Sequence, residues 1–286
     1  MLETKKKKVT IAHSVDADDA FMFYALAENL IRSEQYEVEH ILKDIQSLNT
    51  DSGKLKYDIQ AISFFAYPEV QDKYQLMSCG GSVGYGYGPL LVSKENINPN
   101  DLTQLKNEVI AIPGEKTTAF LLLKLFMKDF KFKVVPFDQI LDAVKRNDYP
   151  LGLIIHEGQL SYPGHGLNKV VDLGEWWLGK TNLPAPLGGN VIKRSLGESE
   201  KKEINLLVKQ SIAYAIENKD SIIPHVCKYA RELQNDTKLV NKFVSMYVNS
   251  FTLDYGINGK LAIEKLYQLA HSEGLINTIP KLDFIE

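Results

Sequence analysis

The sequence predicts an α/β fold of two lobes followed by C-terminal helices, and three observations predict it. Apolar patterns over residues 7–67 alternate strand, helix, strand, helix, strand; a second such series runs from Glu108 to Glu157; and the chain from Ser199 onward is helical in pattern. Short strands alternating with helices imply open, largely parallel sheets. Two such series, each too small to bury both faces of a sheet alone, imply two lobes with the chain passing between them.

In the first series, "KVTIAHS" has the β-branched density of a strand, and "DDAFMFYALAENLIRSE" has helical spacing at Phe21, Tyr24, Ala25 and Leu26. "YEVEHILKD" alternates as a strand, "IQSLNTDSGKL" reads as a short helix and "YDIQAISFFAY" as a third strand. The glycine-rich "YQLMSCGGSVGYGYGPLLVSK" leads into a further strand. The second series reads "EVIAIPG" as strand, "TTAFLLLKLFMKDF" as helix, "KFKVVPF" as strand, "FDQILDAVKRND" as helix and "LGLIIHE" as strand. The tail carries three or four amphipathic helices, with breaks expected near Pro224, Asn235–Asp236 and Gly256–Gly259. "GPLLVSK" and "PLGGNVIKR" are the expected crossings. The expected division is therefore 1–92 for the first lobe, 93–188 for the second, and 189–286 for a return strand and helices on the first. Ligands of open α/β sheets bind beyond the carboxyl ends of the strands, so a cleft between the lobes is the expected site.

Composition narrows the function class. The 286 residues are 44% apolar and 24% charged with a net charge of −3, which lacks the basic footprint of a nucleic-acid binder. The run Lys5–Lys8 reads as a solvated tail. A histidine and three acids follow it where a secretory signal needs an apolar stretch, and no segment has the length of a membrane span. A cytoplasmic protein with no membrane association is expected. Cys79 and Cys227 lie far apart without a zinc-ligand pattern and read as free thiols.

Four motifs are candidates for chemistry. "HSVDADDAF" places Asp16, Asp18 and Asp19 at a strand-to-helix turn, where acids either cap the helix or hold a ligand; the calcium-loop pattern fails, because its glycine and final glutamate are missing. "GGSVGYGYGP" is a flexible turn or a close approach of backbone to ligand, and it departs from the dinucleotide fingerprint. "IPGEKTTAF" fails the phosphate-loop pattern but leaves Thr117 and Thr118 at a helix N-terminus, suited to capping or to holding a carboxylate or phosphate. "LIIHEG" puts His156 just beyond a buried strand, where an imidazole with a pKa near neutrality suits general-base work, and Glu157 either orients it or faces solvent. Trp176 and Trp177 read as core or interlobe packing, or one of them as the wall of an aromatic pocket.

Taken together, "HSVDADDAFMFYAL", "AISFFAYP", "GYGYGPLLV", "IPGEKTTAFLLLKLF", "IIHEGQLSY", "VDLGEWW" and "LPAPLGGNVIKR" resemble, in order and spacing, the MqnD family, the 1,4-dihydroxy-6-naphthoate synthases of the futalosine route to menaquinone. The resemblance covers roughly residues 8–215. It implies a two-lobed fold like the type II periplasmic binding proteins. It also implies a lyase that cleaves cyclic dehypoxanthine futalosine without a metal or organic cofactor, with His156 as the base. Family ligand-binding positions fall on Asn49, Ser63, Thr117, Thr118, the backbone at Ile155, and Leu187, while Asp19 matches an aspartate of the first turn. Many members read "SPCPNDTF" where this chain has "SVDADDAF"; another branch carries "HSPDADD", from which this chain differs at Val15. The implied partner is a small-molecule substrate, and a homodimer is left open. A non-enzymatic binding protein for a small organic anion and chorismate dehydratase are the alternatives.

Overall fold

The computed structural model describes residues 5–99 and 107–285. The chain begins β1 (Lys7–His13), α1 (Ala17–Met22), α2 (Tyr24–Ala27), β2 (Tyr36–Leu42), α3 (Ile45–Ser52), β3 (Ile59–Ser63) and β4 (Tyr74–Leu76). It continues β5 (Ser82–Gly84), β6 (Leu90–Ser93), β7 (Val109–Ile112), α4 (Thr118–Phe126), β8 (Lys131–Val134), α5 (Ile140–Lys145) and β9 (Leu151–Ile154). Then come α6 (Gly158–Ser161), β10 (Asn168–Asp172), α7 (Leu173–Thr181) and β11 (Ala185–Lys193). The remainder is helical: α8 (Glu198–Glu217), α9 (Lys219–Val226), α10 (Thr237–Tyr247), α11 (Ser250–Leu253) and α12 (Gly256–Ser272). Among the described residues no helix is long and apolar enough to cross a membrane.

Residues 1–82, 188–256 and 280–286 form one compact unit, and 83–187 with 257–279 form the other. In this grouping the segment 257–279, expected with the first lobe, lies with the second unit. The end of α12 explains this, since Glu273 pairs with Lys128 at 2.5 Å and lines a surface hollow with Leu275, Phe130 and Phe132.

In the first unit the strand order is β2-β1-β3-β11-β4, with β5 paired to β11. β1 runs parallel to β2 and β3, whereas β11 runs antiparallel to β3 and β4. Val9, Ile11, Ile59 and Ile62 are buried along the parallel strands. The helix expected over residues 18–34 is shorter and interrupted. α1 and α2 are separated at Phe23, whose ring stacks on His13 at 4.4 Å, and Asn29 ends α2 in the left-handed region with Leu30 N–H donating to Ala25 O. Pro224 lies inside α9 rather than breaking it, because Ile222, Ile223 and Val226 bury one face across the proline; the breaks fall instead at Asn218 and over 227–236.

Between β1 and β2 the His13 and His40 rings meet, with Nε2 of one 3.1 Å from Nδ1 of the other. His13 Nδ1 lies 2.9 Å from Ser14 O, a carbonyl that only accepts, so Nδ1 carries the proton and Nε2 accepts from His40. Burial, with His40 beside it, pushes the His13 pKa down to about 3, and burial also lowers that of His40.

The second unit has strand order β10-β6-β9-β7-β8. β7 runs parallel to β8 and β9, and β6 antiparallel to β9 and β10. "GPLLVSK" is thus not a crossing strand. All four residues of β6 are buried and paired on both sides, and the chain leaves the first unit earlier, at 82/83. "PLGGNVIKR" does carry a crossing, at 187/188 within β11.

Two glycines show how tightly backbones meet here. A Cβ on Gly174, near the start of α7, would lie 2.0 Å from Tyr87 O, a backbone atom that cannot swing aside. Gly179, in the same helix, has nothing within 4 Å of such a Cβ. Gly174→Ala should therefore destabilise by about 1–3 kcal/mol, whereas Gly179→Ala should stabilise by about 0.5–1 kcal/mol; urea unfolding of the two variants checks both signs. The buried histidine gives a pH expectation. The unfolded imidazole takes a proton near pH 6.5, while folded His13 stays neutral to about pH 3, so the unfolded chain binds more protons throughout that window. Stability should be complete above pH 6.5 and fall as pH drops through the window, and His13→Asn should lose most of that slope in urea unfolding at stepped pH.

Candidate functional site

In the first unit, the end of β3 is joined to α3 by a reciprocal pair of hydrogen bonds. Ser63 N–H donates to Asn49 Oδ1 at 2.8 Å, and Asn49 Nδ2 donates to Ser63 Oγ at 3.0 Å. The backbone donor fixes which way the Asn49 amide faces. Ser63 Oγ is thereby an acceptor in this contact, and among the described residues its own O–H proton has no acceptor. α3 is itself anchored: Asp44 caps it by accepting from Ser47 N–H, and Asp51 near its end is buried among Lys43 and Lys56, each at 2.7 Å. Those two lysines hold the Asp51 carboxyl well below the usual carboxylate range.

The acids of the first turn are engaged by the fold. Asp19 Oδ2 accepts from Ser14 N–H at 2.6 Å, which ties α1 to the end of β1. Asp16 stands at the N-cap position but accepts no helix N–H; its carboxylate takes the Ser14 hydroxyl and pairs with Arg231 at 2.8 Å. Both are buried. Among the described residues no group of three or more histidines, cysteines or acids is placed to hold a metal ion. Asp19 thus stands at the end of β1, while Asn49 and Ser63 are brought together at the neighbouring end of β3.

In the second unit, Thr117 caps α4. Its Oγ1 accepts from Phe120 N–H at 3.2 Å and donates to Gly114 O at 2.8 Å, so the hydroxyl proton is committed to a carbonyl. Thr118, the first residue of α4, is buried beside it. Across β7 from this turn, β9 ends at Ile154, and Ile155 and His156 form the turn into α6. His156 has φ 57°, in the left-handed region that non-glycine residues visit at a cost, and its carbonyl accepts from Gln159 N–H at 3.1 Å. The imidazole meets the Phe137 ring at 4.8 Å between centroids and 67° between planes. Glu157 is buried rather than facing solvent, and its carbonyl accepts from Leu160 N–H at 2.8 Å and Ser161 N–H at 3.2 Å. Leu187, half-buried in β11, precedes Gly188, the register partner of Ser63.

The glycine-rich passage serves packing. Cβ atoms on Gly80 and Gly81 would meet Asn190 at 2.0 Å and Tyr255 at 2.3 Å, and one on Gly84 would meet Tyr87 O at 2.1 Å. Trp177 is buried and donates to Pro184 O at 2.9 Å, and Trp176 packs edge-on against Phe126. Sequence reasoning did not single out Phe137, Arg231 or His40. Phe137 follows β8 in "VVPFDQ", a stretch with no glycine or histidine to mark it.

The family model for menaquinone biosynthesis matches residues 9–272. The 1,4-dihydroxy-6-naphthoate synthase of Thermus thermophilus is 35% identical over 268 residues, covering 94% of this chain and 96% of that one. The synthase of the same name from Streptomyces coelicolor is 33% identical over 272 residues, covering 93% and 94%. Among solved structures, a protein from Archaeoglobus fulgidus superposes with a TM-score of 0.89 at 43% identity, covering 94% and 98%. The ligand-binding component of an ABC-type import system from Staphylococcus aureus gives 0.73 at 11% identity, covering 98% and 97%. The periplasmic aliphatic sulphonate binding protein of Escherichia coli gives 0.68 at 10%, covering 97% and 91%. The last two share the fold alone, an α/β periplasmic-binding-protein-like arrangement of two sheets with C-terminal helices. By the extent of the family match and the identity to both synthases, the chain belongs to the MqnD family, the 1,4-dihydroxy-6-naphthoate synthases of menaquinone biosynthesis.

Proposed function

We propose that this chain is the carbon–carbon lyase that releases 1,4-dihydroxy-6-naphthoate from cyclic dehypoxanthine futalosine, with His156 as the base that starts a retro-aldol-type fragmentation. The near-full-length identity to two synthases of that name carries the activity. His156 suits the role because it stands in the turn directly beyond β9, and imidazole is the side chain most often used as a general base. No metal or organic cofactor enters this reading, and the substrate is the only partner it requires. It assigns the enzyme to the cytoplasm, away from nucleic acid and membrane, and a homodimer is compatible with it.

Substrate contacts in this reading come from Asp19, Asn49, Ser63, Thr117, Thr118, the Ile155 backbone and Leu187. Their hydrogen bonds divide the work. Ser63 retains a proton to donate and so suits an anionic or carbonyl oxygen of the substrate. Thr117 has spent its proton on Gly114 O and can offer only a lone pair, which suits a substrate hydroxyl. Asp19, accepting from Ser14 N–H, holds the first turn in shape beside the substrate.

The deciding experiment incubates cyclic dehypoxanthine futalosine with wild type and His156→Ala and follows naphthoate release by chromatography. The expected outcome is product from the wild type and a loss of about 10²–10⁴ in kcat for the folded variant. Full activity in His156→Ala would remove the histidine from the mechanism. Substrate recovered unchanged from both would leave a binding protein, and turnover of chorismate instead would indicate the dehydratase. Ser63→Ala should raise KM by roughly 10–100-fold if its hydroxyl donates to an anionic group, a bond of about 1.5–3 kcal/mol, with a smaller change in kcat.

A further inference from the structure

The Phe137 ring is an unusual neighbour for a histidine at a strand end. It is half-buried in a 3-10 turn, Phe137–Gln139, that holds no buried residue. The ring meets that of His156 edge-to-face, with centroids 4.8 Å apart. A phenyl set edge-to-face against an imidazole limits the rotamers that the imidazole can adopt.

The chain also goes to some length to hold it there. Pro136, with φ −49°, sets the entry to the turn, and α5 follows directly. α5 is then seated against β9 as closely as backbones permit, because a Cβ on Gly152 would lie 2.6 Å from Ile140 Cγ2 and 2.7 Å from Val144 Cγ2. On the far side of His156, a Cβ on Gly158 would lie 2.6 Å from Ile154 Cγ2 and 3.4 Å from Leu141 Cδ1. Ile140, Leu141, Val144 and Ile154 belong to one buried cluster. The strand before the histidine and the helix after it are thus both packed on α5, the helix whose leading turn presents Phe137. His156 meanwhile leaves the backbone from a left-handed conformation, which restricts the directions open to its side chain.

We propose that Phe137 is a positioning residue for His156, its ring edge holding the imidazole in the one orientation from which it abstracts the substrate proton. The proposal rests on His156 being the base. Phe137 needs no contact with substrate for this role; it acts by excluding other rotamers of the imidazole. Misplacing a catalytic group by about 1 Å costs roughly 10²-fold, so a ring that only biases rotamers accounts for less than that.

Steady-state kinetics of Phe137→Ala, Phe137→Leu and Phe137→Tyr, beside His156→Ala and the His156→Ala/Phe137→Ala double variant, test it. The expected result is a kcat loss of about 3–30-fold in the Ala and Leu variants with KM within about twofold of wild type, and near wild-type kcat in Phe137→Tyr. Removing Phe137 should cost nothing further once His156 is gone. The imidazole proton resonances of His156 should move in folded Phe137→Leu, since they lose the neighbouring ring current, and this readout holds even if Phe137→Ala does not fold. Wild-type kcat in Phe137→Leu, equal losses in Leu and Tyr variants, or an undiminished loss in the double variant would overturn the role of Phe137 while leaving His156 as base. Full activity in His156→Ala would overturn the base itself, and the positioning role with it.

Discussion

Parallel strand pairing governs where chemistry can sit in each unit. Strands that run side by side in the same sense end at the same edge of their sheet, and the turns that follow gather there. In the first unit this collects His13 and Ser14 at the end of β1 and Ser63 at the end of β3. In the second it collects Gly114–Thr117 after β7, Pro136–Phe137 after β8 and Ile155–His156 after β9. The antiparallel strand β11 reaches the first sheet's edge with its amino-terminal part, which sets Gly188 opposite Ser63. Every candidate residue but Asn49 lies in or beside such a strand end, and Asn49 is drawn in by its two bonds to Ser63.

Much of what looks like site chemistry in the first turn is consumed in building that edge. A helix start leaves backbone N–H groups without intrahelical partners, and a strand end leaves its own groups to be satisfied. Asp19 answers the N–H of Ser14, while Asp16 is neutralised by Arg231 from the C-terminal part of the same unit. The buried charge of Asp16 is tolerated because an opposite charge and a hydroxyl both meet it. Three carboxylates in four residues therefore reflect a junction between a strand, a helix and the tail, and this junction alone suffices to explain two of them.

The order of strands and helices was legible in the sequence because short apolar runs alternated with helical spacing, and those signals are local. His156 was legible for the same reason: a titratable residue directly behind "LII" can only sit at a strand end. The errors came where tertiary packing overrides local pattern. "GPLLVSK" is as apolar as a crossing strand would be, yet its burial on both sides inserts it between β9 and β10. Pro224 is a breaker by itself, but three buried neighbours carry the helix across it. Phe137 was invisible because its partner is set by the crossing of α5 over β9, and nothing in "VVPFDQ" announces that Gly152, fifteen residues on, lets the helix come so close.

Seven non-glycine residues among those described adopt positive φ, and four of them are asparagine or aspartate, whose short polar side chains bear that conformation best. Leu55, His156 and Arg231 are the exceptions. Arg231 has a visible return, since its guanidinium meets the buried Asp16. Histidine tolerates the left-handed region better than most, yet glycine would make the same turn into α6 without cost. The turn carries a histidine, sets it against the Phe137 ring, and places it where parallel strands end. That placement is what the proposed role of His156 as base requires, and backbone strain of this kind gathers at functional sites.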